Sequence, residues 1–119
     1  MSRNSIVRPP YAEAAEKSVL ASAMYDEDAL EMTLSKLKAD DFYSPNNRDV
    51  FEAIQNIANS NKDVSAPAIF MEIDEREESS GATAAYIAEL NESVDSSRNV
   101  SDYIKKIKNA VKLDRKSVV

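Results

Sequence analysis

The residues whose types could do chemistry are few: the carboxylate pairs Glu13/Glu16 and Asp40/Asp41, and the hydroxyl of Ser18. Paired carboxylates serve acid–base catalysis or hold two metal ions, but bundle sites of that kind usually add a histidine three residues on, and the chain has no histidine. Ser18 has no imidazole base to activate it. Cysteine is absent, which excludes disulfides and thiolate metal sites. The single glycine, Gly81, cannot build a phosphate-binding loop of the Gly-x-x-x-x-Gly-Lys type. These carboxylates are therefore expected to be solvated surface or helix N-terminal charges. No catalytic, metal or cofactor site is expected.

Charge is the other chemical feature. The net charge is −6, yet residues 98–116 hold seven basic residues against Asp102 and Asp114, a local +5 that leaves −11 on the rest. An acidic body repels phosphate, so direct nucleic-acid binding is not expected. The basic run suits the polar side of an amphipathic helix as plain surface, with protein docking and nucleic-acid contact as alternatives. No apolar run approaches a membrane span, and no signal-peptide core follows Met1, so a cytoplasmic location is expected.

The elements that must position these groups read as helices. With 119 residues, 43% of them hydrophobic, the chain is long enough for one domain, and its scarcity of glycine disfavours tight β-turns. Ala12, Ala15, Val19, Leu20 and Ala23 keep helical spacing and predict a first helix over 12–25. Asp26 caps a second helix carrying Leu30, Leu34 and Leu37. A connector, 40–45, breaks the pattern, with Phe42 and Tyr43 expected to anchor it to the core. Asn46 or Asn47 then starts a third helix with the stripe Val50, Phe51, Ile54, Ile57. Ser65 caps a short fourth helix with Ile69 and Ile73, and residues 72–80 read as a solvated acidic turn. A fifth helix spans 83–93, with Tyr86, Ile87 and Leu90 inward. Asp95 or Ser96 opens the last, with Val100, Tyr103, Ile104, Ile107 and Val111 on one side. That helix meets no glycine cap or proline before Val119, and the end reads as a cut edge. The expected organisation is a disordered arm 1–10, a globular helical head 11–95, and a last helix 96–119.

Four patches in order resemble the N-terminal domain of bacterial replicative DNA helicases of the DnaB family. Pro9-Pro10 leading to Ala15-Glu16-Lys17-Ser18-Val19-Leu20 is similar to the family opening P-P-x-x-x-x-A-E-x-S-V-L. Residues 41–54, from Asp41-Phe42-Tyr43 through Arg48 to Phe51 and Ile54, resemble D-F-Y-x-P-x-H-R-x-I-F-x-A-I, with Asn47 at the histidine. Ala85-Tyr86-Ile87-Ala88-Glu89-Leu90 is similar to A-Y-L-A-E-L. Ser96, Asn99, Val100 and Tyr103 follow S-A-A-N-V-x-x-Y. Departures at Ala21-Ser22, at Ala82 and Thr83, and at Asp95 concern local turns.

The resemblance implies an all-α, compact bundle of about six helices, with a longer C-terminal helix that starts a dimerisation hairpin. It implies a non-catalytic domain that builds the collar of a hexameric helicase and meets primase and, in some members, the helicase loader. ATP and Mg are then expected only in a motor domain absent from this chain. Tyr103, Ile107, Lys108, Val111 and Lys112 are the candidate interface residues, with the acidic stretch 72–78 as an alternative docking surface. Two other readings fit the length and charge: a stand-alone phage or plasmid adaptor or inhibitor that binds primase or helicase, and a basic-helix DNA-binding module.

Overall fold

The computed structural model describes the backbone of residues 10–75, 84–92 and 99–118, and side chains over 12–75, 84–92 and 99–112. Among the described residues there are six α-helices and no strand. They are α1 (Pro10–Tyr25), α2 (Glu27–Lys36), α3 (Pro45–Asn59), α4 (Ala66–Asp74), α5 (Ala84–Glu92) and α6 (Val100–Val118), with a 3₁₀ turn at Ala39–Asp41.

Short-range chemistry sets the starts of α2, α3 and α4. The Asp26 side chain accepts from the Ala29 N–H at 2.9 Å and opens α2. Ser44 caps α3 through the Asn47 N–H at 3.4 Å, and Pro45 takes the first helical position, where its missing N–H costs nothing. α3 therefore begins one or two residues before the position expected from the asparagines. Ser65 caps α4 through the Ala68 N–H at 3.2 Å. α3 ends without glycine: Asn61 takes the left-handed conformation, φ 59°, and the N–H groups of Asn61 and Lys62 return to Ala58 and Ile57. Asp26→Ala is expected to lower stability by about 1 kcal/mol, read as a shift in urea midpoint with unchanged slope.

α1 is the central helix and packs against α2, α3, α5 and α6, while α4 joins α3 to α5. Its alanines explain this role. Ala12, Ala15, Ala21 and Ala23 are buried beside Val19 and Leu20, and small side chains let several neighbours approach one backbone. Phe42 and Phe51 are fully buried with ring centroids 4.8 Å apart, tilted by 35°, and they pin the connector onto α3. Val100, Ile104 and Ile107 of α6 belong to the same core cluster as Val19, Leu20 and Ile54. The last helix thus shares the core of the head through this stretch.

Several expectations need correction. The first helix begins at Pro10, two residues before the expected start, and residues 1–9, the rest of the expected arm, lie outside the described residues. Helix α4 runs to Asp74, through the start of the stretch read as an acidic turn, because Ile73 must stay in helical register with Ile69 to be buried. The rest of that turn, 76–80, and the expected caps Asp95 and Ser96 lie outside the described residues. Tyr43 is exposed, unlike Phe42: the extended backbone around Phe42 turns neighbouring side chains to opposite sides.

Candidate functional site

The carboxylates first read as solvent-facing are partly internal, and this is the main correction the structure makes. Glu16 on α1 is 1% exposed, and so is Asp41 at the end of the 3₁₀ turn. Glu16 falls one turn from Ala12 and from Val19 and Leu20, so helical register carries it into the core with them. A buried carboxylate needs partners, and the chain entering α3 supplies them. Glu16 Oε2 accepts the Tyr43 N–H at 2.8 Å. Its Oε1 accepts the Ser44 N–H at 3.4 Å and the Asn47 Nδ2 amide at 2.8 Å. The acid sits at the N-terminus of α3, where the helix dipole also favours it.

Asn47, fully buried, carries the network onward. Its amide donates to Glu16 while its carbonyl accepts from the Tyr86 hydroxyl of α5. One side chain with both a donor and an acceptor thereby ties α1, α3 and α5 together. Asparagine can do what a neutral imidazole would at this position, since each offers one group of each kind. Lys17 closes the outer edge, with its ammonium 3.3 Å from Glu89 and 5.8 Å from the Tyr86 ring centroid.

Burial pushes the Tyr86 phenol from 10.0 up to about 12, helped by the negative charges of Glu89, Glu13 and Glu16. The proton is held more tightly in the folded state, so this contribution is full below about pH 10 and is lost as pH rises through the folded value. Wild type is therefore expected to lose more melting temperature than Tyr86→Phe between about pH 9 and about pH 11.5. Equal losses in thermal melts followed by circular dichroism would show that the phenol is not the group responsible.

Asp41 fixes the other side of the molecule. Its Oδ2 accepts from Lys108 Nζ of α6 at 2.8 Å and from the Lys38 N–H at 3.1 Å. Arg48 Nη2 donates to the Phe42 carbonyl at 3.0 Å, which braces the same connector. The 3₁₀ turn, α3 and α6 are thus held by polar contacts as well as by Phe42 and Phe51.

The residues singled out from sequence separate into three groups. Val19, Leu20, Phe42, Phe51, Ile54, Leu90 and Val100 are core, while Asp41 is buried and paired; Tyr86 and Arg48 are half-buried and Tyr43 and Asn99 exposed. Of the candidate interface residues, Ile107 and Val111 are buried within this chain, because α6 turns its apolar stripe onto the head. Tyr103 is half-buried, Lys108 is half-exposed and held by Asp41, and Lys112 is exposed. On the alternative acidic surface, Glu72 accepts from Asn56 at 3.1 Å and Glu75 is exposed, while 76–78 lie outside the described residues.

Sequence reasoning missed the exposed apolar groups Tyr25, Phe70 and Met71. The signal was present for two of them: in a nine-residue helix whose core side is Ile69 and Ile73, positions 70 and 71 must face away. Among the described residues no group of three or more carboxylates could hold a metal ion, and no helix is long and apolar enough to cross a membrane.

Residues 8–109 match the family model of the DnaB-like helicase N-terminal domain. The replicative DNA helicase DnaB of Mycobacterium leprae is 33% identical over 69 residues, which is 58% of this chain and 11% of that protein. The chain therefore covers only about a tenth of that helicase's length. The crystal structure of the N-terminal domain of DnaB helicase from Mycobacterium tuberculosis superposes with a TM-score of 0.77 at 28% identity, covering 86% of this chain and 74% of that one.

Proposed function

The chain belongs to the family of DnaB-like helicase N-terminal domains, and from that premise we propose that it is the non-catalytic collar and primase-interaction domain of a hexameric replicative DNA helicase. Its work is to hold subunits together and to gather the primosome in the cytoplasm during DNA replication. Its partners are other copies of the same domain, primase and the helicase loader. ATP and Mg act on a motor domain elsewhere in the parent protein, and strand separation is carried out there.

The observation that carries this reading is the way α6 is held. Its apolar side is packed onto α1, and Lys108 is paired with Asp41, so α6 is fixed on the head with Lys112 exposed and Tyr103 half-buried. A last helix held in one position on the head is what a collar needs to set the spacing between subunits. Disordered attachment would not transmit that geometry.

Molar mass in solution tests it. Light scattering across a concentration series should be run on this chain and on one lengthened at its C-terminus by about 40 residues, enough for a second helical arm. The longer chain is expected to assemble, and Tyr103→Glu with Lys112→Glu is expected to weaken that assembly. If both lengths stay monomeric at every concentration, the collar reading fails. Capture of primase by such a monomer would then leave a docking head alone.

A further inference from the structure

We propose that the groove between α2 and α6 is a binding site for a compact polyphosphate, either inorganic or the phosphate chain of a free nucleotide. The groove has a volume of about 410 Å³, enough for a molecule of that size. Ser101, Lys105, Lys108 and Lys112 follow one another along α6 at helical spacing and form one wall. Lys36, in the last turn of α2, faces them from the other.

Four lysines from two helices line it, in a chain whose net charge is −6. Lys108 already answers Asp41 at the inner edge, so the surplus positive charge lies with Lys36, Lys105 and Lys112, all exposed. Like charges lining one groove repel one another, and a multivalent anion relieves that repulsion. Asn109 and Ser101 add neutral donors beside the lysines, while the buried Ile104 closes the floor.

Lysines act as rotatable point charges that suit phosphate oxygens, and among the described residues every cationic side chain lining the groove is a lysine. Among the described residues no aromatic side chain lines it, so a nucleic-acid strand would find no platform for its bases there. The −11 carried outside 98–116 also repels any extended polyanion that runs past the groove. Asp28 and Glu31 on the far side of Lys36 bound the basic region on that side.

The test is an NMR titration of the ¹⁵N-labelled chain with inorganic tripolyphosphate at low salt and at about 150 mM salt. Saturable shifts are expected at residue 36 and along 101–112, weaker at the higher salt. Lys105→Ala with Lys112→Ala is expected to weaken binding about tenfold or more, and Lys36→Ala, on the other helix, to weaken it independently. All three side chains are exposed, so melting temperatures should not move. Absence of saturable binding, shifts scattered over the surface, or undiminished binding by the variants overturns the proposal. So does tighter binding of hexaglutamate or of an oligothymidylate of matched charge. Nucleoside triphosphates that bind more tightly than tripolyphosphate identify the nucleotide as the source; equal affinity identifies the phosphate chain alone.

Discussion

Phe51→Ala is expected to lower the unfolding free energy by about 3–5 kcal/mol, the largest effect of any single apolar truncation proposed for this chain. Phe51 has no exposed surface and stacks against Phe42, so its loss opens a cavity between α3 and the connector that follows α2. The surrounding structure cannot close that cavity easily, because the connector is also held by the Arg48 bond to the Phe42 carbonyl. Small domains of this kind have total stabilities of about 5–15 kcal/mol, so the variant should be close to unfolding at 37 °C. Phe51→Leu keeps most of the volume and is expected to cost less than half as much. Urea unfolding followed by far-ultraviolet circular dichroism measures both. A midpoint for Phe51→Ala within error of wild type would mean that the aromatic pair is peripheral to the core.

The second large effect concerns Glu16. Glu16→Ala leaves the Tyr43 and Ser44 N–H groups and the Asn47 amide without their acceptor, and a loss of about 3–5 kcal/mol is expected. Glu16→Gln is the sharper experiment, since it keeps size and shape. Both carboxylate oxygens accept from N–H donors, so an amide in either orientation sets an NH₂ group against a donor. About 2–3 kcal/mol is expected, most of it from one buried donor pair that cannot be satisfied. Tyr86→Phe should cost less, because it removes a single neutral hydrogen bond from a half-buried side chain. If Glu16→Gln melts with wild type, the carboxylate does not have the role assigned here. The same variant also separates fold from assembly: it weakens the head without altering Tyr103 or Lys112.

Both effects turn on residues whose roles were unequally visible beforehand. Phe51 stands in the stripe Val50, Phe51, Ile54, Ile57, and burial of that stripe follows from a period of 3.6 residues. Asp26 and Ser65 announced their helices because a cap acts on an N–H only three residues away. Glu16 lies on the buried side of α1 by the same periodicity, yet its residue type argued for solvent. Only the chain arriving 27 to 31 residues later makes its burial tolerable. Tyr43 shows the reverse error, an aromatic assigned to the core by type and turned outward by the backbone.

Helix number and order, most caps and most of the apolar core were determined by the amino-acid sequence, and so was the resemblance that pointed to the family. Those properties depend on residues within one or two turns of each other, or on a pattern read in order along the chain. Tertiary structure alone decided that Glu16 and Asp41 go inside, that Ile107 and Val111 are spent on the head's own core, and that Lys36 faces the lysines of α6. Each of these depends on segments distant in sequence meeting in space. A charge is accepted in the interior, or gathered with its like, only where the arriving partner makes that arrangement the lower in free energy.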